Sequence, residues 1–119
     1  MTDADIASQL QAGGRPRPQA SQVFFQRREL DAILSLYGRK VAEGEWRDYA
    51  IDGLKEEAVF SIFRRASEMP IYQIVKRPKL AKRQGMYAVI GATGQILKRG
   101  HELSTVLRIF EKRKLSIID

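Results

Sequence analysis

Two short clusters hold most of the side chains in this chain that could do chemistry. The first is Lys76-Arg77-Pro78-Lys79-Leu80-Ala81-Lys82-Arg83, with five bases in eight residues. The second is Leu97-Lys98-Arg99-Gly100-His101-Glu102. Lys and Arg at this density suit phosphate oxygens, which accept charge-assisted hydrogen bonds from ammonium and guanidinium groups. Gly100 would let a backbone approach an anion closely, and His101 could complete the site at the start of a helix. The plainer alternative makes Gly100 a turn residue and His101 a helix cap. Tyr72 and Tyr87 flank the first cluster, and exposed rings beside cations stack nucleic-acid bases. Tyrosines on strands also serve as core.

Other chemistry has little to work with. The chain has no Cys and one His. Thiolate metal sites, disulfides, redox pairs and paired-histidine chemistry therefore fall away, and no cofactor is expected. Asp48, Asp52, Glu56 and Glu57 lie close in sequence, and paired carboxylates can exchange protons. No nucleophile or metal motif accompanies them, so the expectation is a protein that is not an enzyme. Gly91-Ala92-Thr93-Gly94 looks like a phosphate-binding glycine loop but is followed by Gln95-Ile96-Leu97, which reads as strand. A dinucleotide site needs a helix there, so a hairpin turn is expected.

Composition sets the wider frame. The 119 residues are 44% hydrophobic and 29% charged, in the range of a globular domain. No apolar run approaches the roughly 20 residues that span a bilayer. MTDADIASQLQ carries acids where a secretory signal needs bases, so a cytoplasmic protein is expected. Net charge is +7 and the pI is near 10. The excess is uneven: residues 1–63 hold eight bases and ten acids, residues 64–119 thirteen bases and four acids. Such asymmetry points to an anionic partner: nucleic acid, an anionic membrane surface or an acidic protein.

The elements that must position these residues follow from periodicity. Residues 1–22, broken by Gly13, Gly14, Pro16 and Pro18, are expected to be a disordered tail, leaving 23–119 as one domain. Leu30, Ile33, Leu34, Tyr37 and Val41 form one helical stripe over Arg27–Val41, with Gly44 as its stop. Short β-branched and aromatic runs near 46–52, 57–65, 70–76, 86–91 and 95–99 read as strands. The connections are too short for crossover helices, so the sheet is an antiparallel meander. Leu103, Val106, Leu107 and Phe110 give a second helix over Glu102–Arg113, and Leu115 and Ile117 a last short strand. The fold class is α+β, a single domain with an N-terminal and a C-terminal helix on one sheet face. Strands 57–65 and 70–76 are apolar on both sides. The second face therefore needs a cover, a partner protein or a second copy of the chain in a homodimer.

Several stretches together resemble a known family. They are Trp46-Arg47-Asp48-Tyr49-Ala50-Ile51-Asp52, Ala58-Val59-Phe60-Ser61, Arg64-Arg65-Ala66-Ser67-Glu68, Lys76-Arg77-Pro78-Lys79-Leu80-Ala81, Gln84-Gly85-Met86-Tyr87 and Leu97-Lys98-Arg99-Gly100-His101-Glu102-Leu103. The chain resembles domain-of-unknown-function family 2794 from about Phe24 to Leu115. The resemblance implies a small bacterial, cytoplasmic protein and supplies no activity, cofactor or catalytic residue. Gln26 and Gly53 look like departures, where a capping acid and a bulkier apolar residue are expected.

Taken together, these features lead to a non-catalytic binding protein. Its basic face, formed by Lys76, Arg77, Lys79, Lys82, Arg83, Lys98, Arg99 and His101, would contact nucleic-acid phosphates. The alternative is a protein-interaction adaptor, homodimeric or bound to an acidic partner, using the second sheet face.

Overall fold

The computed structural model describes residues 22–65 and 69–111. Helix α1 (Arg27–Ala42) leads into strands β1 (Asp48–Gly53), β2 (Ala58–Phe63), β3 (Tyr72–Lys76), β4 (Tyr87–Gly91) and β5 (Ile96–Gly100). Helix α2 (Leu103–Leu107) follows. Short 3-10 turns occupy Pro78–Leu80 and Arg108–Phe110. The strands form one antiparallel sheet in the order β1-β2-β3-β4-β5. This is the expected α+β meander, because each strand follows its predecessor through a connection too short to cross the sheet.

Register sorts the side chains into two faces. Phe60 stands opposite Ile74, and Ile74 opposite Val89. These three are fully buried in one cluster with Ile62 of β2, Ile33 and Leu36 of α1, and Val106 and Phe110 from the chain's other end. Both helices therefore cover the same sheet face. The other face carries Val59, Ser61, Gln73, Val75 and Ala88, all buried or half-buried.

The helix stripe differs slightly from its sequence reading. Glu29, Ile33 and Leu36 are buried, Leu30, Leu34 and Tyr37 partly so, and Val41 is exposed. The inward line is rotated by about one position, because α1 meets the sheet mainly through its first two and a half turns. At its end Gly44 adopts φ +81° and donates to Val41 O, while Glu45 N–H donates to Lys40 O. That is a Schellman close, and it confirms Gly44 as the stop. The C-terminal helix is shorter than expected, its α-helical part ending at Leu107 and a 3-10 turn taking the chain to Phe110. Leu115, Ile117, Ser67 and the expected tail lie outside the described residues.

Gly53 is explained by what lies above it. A Cβ there would sit 2.6 Å from the Phe24 ring and 2.9 Å from Val23 O. The segment before α1 crosses β1 at this point and is tied to it by Val23 N–H donating to Leu54 O (2.7 Å). A bulkier residue, the expected one, has no room. Gly53→Val should therefore lower stability by about 1–3 kcal/mol through overpacking. Denaturant unfolding would measure it, and an unchanged midpoint would contradict the crossing.

Candidate anion-binding end of the sheet

Residues 69–101 contain seven Lys or Arg and no Asp or Glu. Every acid that neutralises these bases must come from elsewhere in the chain, and three do. They divide the expected basic face into distinct parts.

Lys76 is removed from the surface altogether. It lies on the helix-covered face between Ala58 and Tyr87 and is 7% exposed. Its Nζ donates to Glu29 Oε1 (2.8 Å) and to Phe24 O (2.9 Å). Glu29 Oε1 also accepts the Gln26 N–H (2.6 Å), and Tyr87 OH donates to Glu29 Oε2. The expected capping acid is thus supplied three residues into the helix instead of at Gln26. Burial on its own would raise the Glu29 pKa. The hydrogen bonds from Lys76, Tyr87 and Gln26 outweigh it and hold the carboxyl below its usual value. Burial and then the Glu29 carboxylate push the Tyr87 phenol well above its usual value. Lys76 and Tyr87, expected at a phosphate and stacking site, are instead core.

Tyr72 packs against the core. Its ring packs edge-on to Phe110 (centroids 5.0 Å apart) and tilted against Trp46 (6.2 Å). The ring is half-buried, and these contacts take up part of the surface that the expected stacking role would use.

Arg77 and Lys79 stand on the surface but are engaged. Arg77 Nε donates to Glu57 Oε1 (2.6 Å), and Lys79 Nζ lies 2.8 Å from Glu56 Oε1. Both acids belong to the β1–β2 turn, which faces the Pro78–Leu80 turn across an open groove floored by Leu54 and Leu80. The Lys79 hydrogen bond holds the Glu56 carboxyl below its usual value. Exposed pairs of this kind contribute little to stability and yield to a competing anion.

The remaining cations are brought together by a close backbone contact. Gly85 adopts φ +109°, and a Cβ on it would sit 2.5 Å from the Gly100 carbonyl. Only glycine lets the 81–85 loop lie flat on the end of β5. Arg99 Nη1 donates to Gly85 O (3.4 Å), and His101 Nδ1–H donates to Ala81 O (3.1 Å). Arg99 and His101 are thus set against the loop that carries Lys82 and Arg83, both exposed and without an acidic partner among the described residues. Lys98 is exposed as well, but it stands opposite Val89 on the helix-covered face, whereas Arg99 stands opposite Ala88 on the other. Two details differ from the sequence reading. Gly100 approaches the loop and Val106 rather than an anion. His101 bonds the loop rather than capping α2, whose N-cap is Glu102. The five-residue α2 is also too short to offer a useful dipole.

The neighbouring carboxylates at 48–57 have separate surroundings, with Glu56 and Glu57 facing Lys79 and Arg77. Asp48 Oδ1 accepts its neighbour's N–H from Tyr49 (2.8 Å), and Asp48 and Asp52 stand exposed on an edge strand. Among the described residues no cluster of His, Asp and Glu is placed to hold a metal ion, and no helix is long and apolar enough to cross a membrane. The glycine run at 91–94 is the expected hairpin, with Gly94 at φ +90° donating to Gly91 O.

The profile of the family described as protein of unknown function, DUF2794, matches residues 23–107. The chain belongs to the DUF2794 family. The match runs from the segment that crosses β1 to the end of α2, so the family unit contains the sheet, both helices and the Glu29 cluster. No curated protein and no solved structure matches this DUF2794 chain.

Breaking the Glu29 cluster has a defined cost. Glu29→Gln leaves the Lys76 ammonium buried without its counter-charge and should cost about 3–5 kcal/mol, whereas Glu29→Leu with Lys76→Met removes both charges and should cost far less. The pH dependence follows from the sign of the shift. A carboxyl with a lowered folded pKa contributes stability above its unfolded value, about 4.3, and loses it as pH falls toward the folded value. Wild type should therefore lose stability below about pH 4.5 more steeply than the double variant, as read by denaturant midpoints at stepped pH. Parallel curves would contradict the assignment.

Proposed function

We propose that this DUF2794 protein is a non-catalytic binding protein that engages nucleic-acid phosphates through the end of its sheet. The contacts are Lys82, Arg83, Lys98 and Arg99. Lys79 and Arg77 are a reserve, released when phosphate displaces Glu56 and Glu57. The observation that supports this reading is the Gly85–Gly100 contact, with Arg99 and His101 set against the loop that carries Lys82 and Arg83. No acid from residues 69–101 lies within it. Such a surface binds through charge.

Fluorescence anisotropy with labelled random DNA and RNA tests the proposal. Four neutralised phosphates give a log–log salt slope of about −3.6 on duplex DNA, a loss of about 150-fold in affinity between roughly 50 and 200 mM salt. Lys82→Glu with Arg83→Glu should abolish binding, and Arg28→Glu on the exposed start of α1 should not. Failure to bind either polymer at the lower salt, or equal loss in both variants, would overturn it.

A further inference from the structure

Strand β1 is an edge of the sheet, and no described element covers it. Leu54 N–H donates to Glu57 O (2.8 Å), closing the β1–β2 ladder. From there the alternation of antiparallel pairing turns the backbone groups of Asp48, Ala50 and Asp52 toward β2 and those of Tyr49 and Ile51 outward. The Tyr49 N–H confirms that direction, since it is met by the adjacent Asp48 carboxylate (2.8 Å) and not by β2. An outward row of main-chain donors and acceptors on an open edge is a template for another strand.

The side chains along this edge are divided by charge. On the helix-covered side, Tyr49 and Ile51 are 40% and 44% exposed, although Tyr37 of α1 packs edge-on to the Tyr49 ring (centroids 4.9 Å apart). Phe24, 55% exposed, continues the apolar band over Gly53. On the opposite side β1 presents Asp48 and Asp52, both exposed. Phe24, Tyr49, Ile51 and Leu54 thus form an exposed apolar band at this edge. The second face, where an adaptor contact was expected, has its small centre of Val59, Val75 and Ala88 already buried.

We propose that the β1 edge docks an extended peptide segment of alternating apolar and basic residues as a sixth strand. Main-chain bonds to Tyr49 and Ile51 hold it in line. Its apolar residues lie against Tyr49, Ile51 and Phe24, and its Lys or Arg residues lie beside Asp48 and Asp52. Charge rules out a second copy of β1 as the occupant. Two-fold antiparallel self-pairing keeps each face on its own side, so it sets Asp48 opposite the partner's Asp52 or leaves the carboxylates as diagonal neighbours. Either arrangement gathers four like charges on one face.

The test is a titration of the full-length, 15N-labelled protein with a capped octapeptide of alternating Lys and Val. A Glu/Val octapeptide of the same length is the control. The expected result is shifted, exchange-protected Tyr49 and Ile51 amides with the Lys/Val peptide and none with Glu/Val. Asp48→Lys with Asp52→Lys, two exposed positions, should weaken the Lys/Val peptide about tenfold or more and admit the Glu/Val one. Unmoved Tyr49 and Ile51 amides at roughly millimolar Lys/Val peptide overturn the proposal. So does an equal response to both peptides, or a charge-reversed variant that keeps the original preference.

Discussion

One carboxylate ties three separate parts of the chain together, and the rest of the architecture is arranged around it. Glu29 accepts the Gln26 N–H at the start of α1, the Lys76 ammonium from β3 and the Tyr87 hydroxyl from β4. Lys76 in turn bonds Phe24 O, which fixes the segment that crosses β1 above Gly53. A charge buried this deeply is tolerated because both oxygens of the carboxylate are occupied and its counter-ion is in contact. The same bonds orient α1 on the sheet. On that side β1 meets α1 through Tyr37 and Tyr49, and Tyr49 and Ile51 keep about two-fifths of their surface exposed, which sets the character of the edge.

The cluster also decides which cations are available to a partner. Lys76 begins the densest basic run in the chain, yet it is the member that acts inside the fold. Arg77 and Lys79 balance Glu57 and Glu56 across the groove. Charge left over after this internal pairing, at Lys82, Arg83, Lys98 and Arg99, is concentrated at one end of the sheet. The two surfaces proposed to bind have opposite polarity: phosphate at the basic end, and basic peptide at the edge that carries Asp48 and Asp52.

Much of the fold is legible in local pattern. Alternation of apolar residues marks β2 and β3, Gly44 marks the end of α1, and Ala92-Thr93-Gly94 marks the last hairpin, because each depends on neighbours within a few residues. The site is less legible. The partner of Lys76 lies 47 residues away in sequence and that of Arg77 lies 20 away, so no spacing rule reveals them. A buried lysine and an exposed one look alike in a basic run. The glycines were readable as turns, but Gly85 and Gly53 matter for what passes over them, which only the tertiary arrangement discloses. Tyr87 carried a faint signal, an alternating position in an apolar strand, which favours core over a stacking surface. Likewise, α2 ends early although its apolar stripe runs on to Phe110, since a 3-10 turn keeps Phe110 against Trp46 and Tyr72.

The central claim is that internal pairing withdraws Lys76 and leaves a separate cation set for phosphate. Lysine reactivity measured by brief acetylation and mass spectrometry, with and without duplex DNA, tests it most directly. Lys76 should resist labelling in both states, and Lys82 and Lys98 should label readily alone and be protected by DNA. Labelling of Lys76 as fast as Lys82 in the folded protein, or DNA that shields Lys76 and spares Lys82 and Lys98, would contradict it.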